Sequence, residues 1–290
     1  LPEEERIPLI EKFRKMYETM DFYVLYNRFL KKEGYQTLPR RPLEKRKLRY
    51  EDVYPILYLK YRLSRQAEWS NIKHLVIDEM QDYSLLQYLI IRRMFSCKMT
   101  ILGDRAQTMA DQQQDVLQFL PGIFGKDLRR IEMRKSYRNT VEIASYAANL
   151  IGVTDLELFE RHGMPVLERD VTDLEAALRE AVDTLLPDEK TYETAAVIVP
   201  DEKTAERAYL ILRGILAEKD FDCGKRLSWL NRDSSSFKKG LTVTTFYLAK
   251  GLEFDQVFSI FPKDEKREIM MQAQYIAATR ALHELRVYHI

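Results

Sequence analysis

"HLVIDEMQDYS", residues 74–84, runs an apolar stretch straight into two adjacent acids, Asp78 and Glu79, with a third acid at Asp82. A short apolar run without alternation reads as a buried strand of a parallel sheet, here Ile72–Ile77. Open parallel sheets bind ligands at the carboxyl ends of their strands. Asp78 and Glu79 sit at such an end, in the form of a Walker B segment. In that reading Asp78 serves a hydrated Mg²⁺, and Glu79 polarises the water that attacks a γ-phosphate. Taken alone, "VIDE" reads equally well as a surface turn or a helix N-cap. Ser84 then opens a helix as an S-x-x-Q capping box with Gln87, and Leu85, Leu86, Leu89, Ile90 and Met94 form its apolar stripe.

Further segments repeat the pattern of strand followed by polar residues. Met99–Leu102 reads as a second strand, and "GDRAQ" after it delivers Asp104 and Gln107. A glutamine that touches γ-phosphate and attacking water belongs to NTP hydrolysis machinery. An ordinary Gly-Asp turn explains "GDRAQ" alone, but explains both pieces poorly at this spacing. In "RKSYRNT" (134–140), Arg138 suits a bidentate phosphate clamp and Tyr137 suits stacking on a base. The plain alternative is a core tyrosine beside a solvent-facing arginine. "TTFYLAKGLEFDQV" (244–257) leaves a strand, with Gly251 allowing a tight turn between Lys250 and Glu253, or is a simple loop with a charged pair. "QYIAATRALHEL" (274–285) puts Thr279 and Arg280 inside an Ala-rich helix. An arginine there suits a finger aimed at transition-state charge. A structural, salt-bridged arginine is the alternative.

The 290 residues suffice for one large or two ordinary domains, and 46% hydrophobic with 31% charged residues fits a globular protein with a core. The net charge of +1 carries no global polyanion signature, so any nucleic-acid surface is local. "LPRRPLEKRKLR" (38–49) sets six basic residues against one acid; it reads first as a solvated connector and second as a contact for phosphates or an acidic partner. Cys97 and Cys223 are the only cysteines and the four histidines are scattered, without disulfide framework or zinc spacing. With no membrane-length apolar run and no signal-peptide pattern, we expect a cytoplasmic monomer, and the start at Leu1 suggests a piece of a longer chain. Residues 1–68 read as a helical segment with a Gly34 stop. Beyond Trp69, strands alternate with helices in two blocks, 69–135 and 136–290. Strands are expected at about 128–133, 195–199, 241–246, 256–261 and 285–289. Helices are expected from 139 or 140 to 151 and at about 172–186, 203–219 and 266–282. The expected class is α/β, with parallel sheets covered on both faces.

Five segments in order resemble the motifs of superfamily 1 helicases of the UvrD/Rep type: "VIDEMQD", "ILGDRAQ", "SYRN", "TTFYLAKGLEFDQV" and "YIAATRA". The resemblance covers about 72–290 and implies two RecA-like domains, the first incomplete. It implies roles for ATP with Mg²⁺: Asp78 on the metal, Glu79 as base, and Gln107 sensing the γ-phosphate from the "GD" loop of Asp104. It further implies Arg138 and Arg280 on the γ-phosphate, Tyr137 on adenine, Glu253 beyond the Gly251 turn on the ribose, and Thr245 and Lys250 near the nucleic-acid side.

Two departures refine this expectation. No G-x-x-x-x-G-K-[ST] is present; "PGIFGKD" (121–127) has only two residues between Gly122 and Gly125 and follows the acidic motif, so it is no P-loop. The chain alone is therefore expected to hydrolyse no ATP usefully. Second, "GDRAQTMADQQQDVLQFL" lacks the aromatics with which the family stacks single-stranded bases; Met109 and glutamines stand there. Together with "DEMQDYS", "SYRNTVEI", "ATRALHEL" and "LRYEDVYPILYLKYRL", this resembles the HelD (helicase IV-like) branch. That branch implies RNA polymerase as partner, with ATP used to release or recycle it. A DNA helicase or translocase is the alternative.

Overall fold

The computed structural model describes residues 2–15, 19, 21–63, 69, 71–104, 107–108, 116–133, 135–153, 157–188, 192–219, 223–234, 239–263 and 268–290. The chain divides into two compact units, Leu1–Asp104 with Ala110–Arg129, and Arg105–Met109 with Arg130–Ile290.

The first unit holds α1 (Glu3–Lys15), α2 (Phe22–Lys32), α3 (Tyr50–Leu63), β1 (His74–Ile77), α4 (Leu85–Met94), β2 (Lys98–Ile101) and α5 (Val116–Phe124). Asp21 starts α2 by accepting from the amides of Tyr23 and Val24 at 3.0 and 3.4 Å, which satisfies donors that a helix start leaves open. The basic segment 38–49 is partly structural. Arg46 forks onto both oxygens of Asp21 at 2.9 and 2.6 Å and lies 4.6 Å from the Tyr23 ring centroid. Arg49 pairs with buried Asp52 at 2.7 Å. Asp52 also accepts from the Tyr26 hydroxyl at 2.9 Å, and burial pushes that phenol up to about 12. β1 and β2 pair in parallel from His74↔Lys98 to Ile77↔Ile101. Ile77 packs there with Tyr88, Val116 and Leu120. The capping box of Ser84 and Gln87 forms as expected. "PGIFGKD" is the end of α5 and a 3-10 turn.

The second unit holds β3 (Lys135–Ser136), α6 (Val141–Ile151), β4 (Glu157–Leu158), β5 (Leu167–Asp170), α7 (Leu174–Asp188), β6 (Thr194–Val199), α8 (Glu202–Ala217), α9 (Cys223–Arg226), β7 (Leu227–Trp229), β8 (Gly240–Thr245), β9 (Phe254–Phe261), α10 (Glu268–Thr279) and β10 (Ala281–His289). Its main sheet has the order β5-β10-β9-β6-β8-β7, with its strands paired in parallel. One face packs Val197, Phe258 and Ile260 against α7 and α8; the other packs Ala196, Val257 and Val287 against α6 and α10. A sheet buried on both faces needs apolar residues at successive positions, which is how β6 and β9 read. The expected α/β class with parallel sheets is thus what the structure has.

Three expectations are corrected. The strand before the acids is not buried throughout: β1 covers His74–Ile77, where Ile77 is buried but Val76 is 59% exposed. Residues 128–133 form no strand: Ile131 is 87% and Met133 86% exposed, and a segment that pairs with no strand among the described residues has no ladder to join. Arg280 is not inside a helix. α10 ends at Thr279, and Arg280 turns the chain directly into β10.

Gly240, which opens β8, has φ +109°, and a Cβ there would press on the Arg226 carbonyl, with Arg226 Cα at 3.0 Å. Gly240→Ala is expected to lower stability by roughly 1–3 kcal/mol by chemical denaturation, from left-handed strain and overpacking at the strand start.

Candidate functional site

Each unit builds its own polar cluster. In the first unit, β1 ends at Ile77 and the acids follow at once. Glu79 has φ 51° and ψ 51°, the sole positive φ among the described non-glycine residues. Left-handed backbone at a charged residue costs on the order of 1–3 kcal/mol and persists only when its surroundings impose it. Here they do. The Met80 amide donates to the Leu102 carbonyl at 2.8 Å, and the Leu102 amide to Ile77 at 2.8 Å. Asp78 is exposed, and its Oδ1 accepts from the Glu79 amide at 2.8 Å.

Gln81, to which the sequence assigned no role, ties the two loops together. It is 6% exposed. Its Nε2 donates to Glu79 Oε2 at 2.6 Å, and its Oε1 accepts from the Asp104 amide at 3.1 Å. Gly103 makes room for this. A Cβ there would strike Met80 Cγ, with Gln81 Oε1 at 2.6 Å and the Met80 amide nitrogen at 2.7 Å. The "GD" step therefore has a steric reason beyond turn formation. The sequence carried no sign of this role, since one of the two partners of Gln81 is a backbone amide.

In the second unit, residues from four separated segments gather at the amino ends of β9 and β10. The Phe254 amide donates to the Arg280 carbonyl at 2.9 Å, and Phe254 pairs with Ala281. This sets Arg280 beside the turn carrying Gly251 (φ +74°), Leu252 and Glu253. Arg280 is 1% exposed. Its guanidinium donates to the Leu252 carbonyl at 3.4 Å, to Gln107 Oε1 at 3.4 Å and to Thr279 Oγ1 at 3.1 Å. Gln107 groups with this unit, whereas Asp104 belongs to the first. Arg138 pairs with Glu253 at 2.7 Å, both about half exposed. Tyr137 is 60% exposed, its ring 5.4 Å from that of Phe159. Thr245 lies apart from this group, at the carboxyl end of β8. It is fully buried, and its hydroxyl has no hydrogen-bond partner among the described residues. Lys250 is half-buried in the turn. Met109 and the glutamines at 112–114 lie outside the described residues.

A second polar group missed by the sequence is the loop "ERHG" (160–163). His162 Nδ1 meets Glu142 Oε1 at 2.9 Å, and the Gly163 amide donates to Glu142 Oε2 at 2.9 Å. These bonds, with the Glu142 amide, bring that carboxyl from 4.5 down to about 2, His162 contributing most.

The donors fit a hard cation. The first unit's cluster offers the carboxylates of Asp78 and Glu79, and Mg²⁺ needs just one or two beside water and phosphate oxygens. Among the described residues no group of three or more His, Cys, Asp or Glu forms an all-protein metal cage. No helix among them is long and apolar enough to cross a membrane.

Residues 4–109 match the UvrD/REP helicase N-terminal domain, so this part of the chain is similar to UvrD-like helicases. No curated protein matches the chain. Solved structures are similar in part. The C-terminal domain of a possible DNA helicase from Lactobacillus plantarum WCFS1 is 24% identical over 53% of this chain and 88% of that one, with TM-score 0.41. The PRRSV helicase is 16% identical over 75% of this chain, with TM-score 0.42, and an arterivirus nonstructural protein 10 (helicase) in complex with DNA is 14% identical over 76%, with TM-score 0.40. The chain spans 35% and 40% of the lengths of these two viral helicases.

Gln81→Leu removes two hydrogen bonds and strands the Asp104 amide. It is expected to cost about 1–3 kcal/mol in chemical denaturation. For Glu142, a carboxyl depressed in the folded state stabilises fully above its ordinary 4.5 and loses that contribution as pH falls toward about 2. Glu142→Gln is therefore expected to flatten the fall in melting temperature over that window.

Proposed function

We propose that this chain is the C-terminal portion of an ATP-dependent superfamily 1 helicase-like motor. We further propose that it works in the manner of HelD proteins, using ATP binding and hydrolysis to remodel or recycle RNA polymerase. In domain terms we assign 1–68 to a helical segment, 69–135 to the end of a first RecA-like domain and 136–290 to a second. The observation that carries the reading is the gathering of Gln107, Arg138, Glu253 and Arg280 around one turn. Four separate segments supply charge and hydrogen-bonding types suited to a triphosphate and a ribose.

Each side chain then has a task. Asp78, exposed beyond the strand end, would hold Mg²⁺, which when bound draws charge from the phosphate oxygens. Gln81 donates to Oε2 of Glu79, which leaves Oε1 to take the proton of the attacking water. Arg138 exchanges its half-exposed Glu253 partner for phosphate; an exposed pair of this kind is worth only about 0–1 kcal/mol, so the exchange is easy. Arg280 supplies charge that is already desolvated, where it acts most strongly on a transition state. Exposed Tyr137 offers its face to adenine. Thr245 and Lys250 fall on the nucleic-acid side.

The absence of base-stacking aromatics after "GDRAQ" supports polymerase over DNA as the working partner. A DNA helicase or translocase for repair or replication is the second reading, favoured by the match of residues 4–109. ATPase of the full-length protein, with polymerase and single-stranded DNA added separately, tests the choice. We expect stimulation by polymerase; stimulation by DNA alone would return the protein to the unwinding helicases. Glu79→Gln is expected to abolish hydrolysis and spare nucleotide binding, since the amide takes no proton; normal turnover would refute its role as base.

A further inference from the structure

We propose that Arg161, seconded by Asn139, is a positioning residue that fixes Arg138 and Arg280 relative to one another; the proposal rests on the hydrolytic reading above. Neither side chain is aimed at a ligand, and both bond to backbone around the two arginines. Asn139 is buried, and its Nδ2 donates to the carbonyls of Thr279 and Ala281 at 3.3 and 2.6 Å. Those are the carbonyls immediately before and after Arg280. Arg161 Nη1 donates to the Arg138 carbonyl at 3.0 Å, and its Nη2 to the Leu282 carbonyl at 2.8 Å. His283 Nδ1 lies 2.9 Å from the same Nη2. One planar guanidinium thus spans the backbone of the first arginine and the backbone two residues past the second.

The irregularity of β10 explains why this bridge is needed. The register with β9 shifts between Ala281 and Glu284, so the ladder is interrupted at Leu282 and His283. A carbonyl left out of a ladder needs another donor. Arg161 provides it, and in doing so ties the bulge to the segment of Arg138. The loop that carries Arg161 is itself pinned. The Val141 amide donates to the Arg161 carbonyl at 2.9 Å, and the Phe159 amide to Ser136 at 3.1 Å. At Gly163 a Cβ would lie 2.6 Å from Thr140 Cγ2. A lysine could not reproduce the span, because its ammonium is a point donor on a flexible stem.

The test is a kinetic cycle in the full-length protein, with kcat, KM for ATP, nucleotide Kd and melting temperature measured for each variant. Arg161→Ala is expected to lower kcat by about 10- to 100-fold, the loss that a misplacement near 1 Å produces. KM and Kd should change by at most a few-fold, less than kcat, because the placement of Arg280 acts in the transition state while only Arg138 also contributes to phosphate binding. Arg161→Lys should fall as far as the alanine variant, and Asn139→Ala should behave in the same way. In an Arg280→Ala background, Arg161→Ala should lower kcat by much less than it does alone, since the part of its effect exerted through Arg280 is already lost. An unchanged kcat in both Arg161 variants, where Arg280→Ala is slow, would overturn the proposal and leave the hydrolytic reading standing. So would a full, multiplicative loss in the double variant. If Arg280→Ala itself turned over normally, the hydrolytic reading would fail and the proposal with it.

Discussion

The parallel pairing of β9 with β10, opened by Phe254 and Ala281, is the constraint on which the second unit's cluster depends. That register places the Arg280 carbonyl on the Phe254 amide. It forces the last residue before β10 to lie beside the turn just before β9. Leu252 and Glu253 are in that turn, so Arg280 meets one and Arg138, through its ion pair, meets the other. The apolar strands fix this arrangement. Phe254, Val257, Ala281 and Leu285 all belong to one buried cluster, and a slip of one residue would turn each of them to the wrong face. The chemistry at the strand ends is therefore held by packing far stronger than any bond the arginines make.

The first unit uses a different device. Its sheet, as described, has two strands, and precision comes instead from loop against loop. The left-handed turn at Glu79 and the missing side chain at Gly103 let Gln81 reach both sides. A strained residue held by a buried amide is pre-organised, so little of its orientation remains to be arranged when a substrate arrives.

Much of this was legible in the residues themselves. Four strands of the second sheet, β6, β8, β9 and β10, were read as strands, whereas the edge strands β5 (Leu167–Asp170) and β7 (Leu227–Trp229) are short and not apolar runs and went unread. Of the two candidate caps, Asn139 and Thr140, the structure uses Thr140, and the box at Ser84 forms as read. The acids after β1 and the glycine turn at 251 were legible because strand ends and glycines mark places where backbone geometry is special. Arg161 was not legible, for a physical reason: its partners are main-chain carbonyls, which leave no trace in sequence spacing. Gln81 was hidden in the same way, since one of its two partners is a backbone amide. Leu128, Ile131 and Met133 misled because apolar residues record what a segment prefers to bury, not whether a partner strand exists. The last helix was drawn to about 282, some three residues too far, because Ala-rich sequence continues helical preference past the point where β10 claims the chain.

Arg280 joins these observations. It is almost wholly buried, it is held on both sides by Asn139, and it lies against Gln107. Burying a guanidinium is costly, and Arg280 donates to the neutral acceptors of Leu252, Gln107 and Thr279; in the proposed reading its charge serves an anionic transition state. The rate of ATP hydrolysis by full-length Arg280→Ala protein at saturating nucleotide tests this most directly. The account predicts a kcat lower by roughly 10³–10⁵, the range expected for loss of an arginine finger. A kcat within a few-fold of the unsubstituted protein would contradict it.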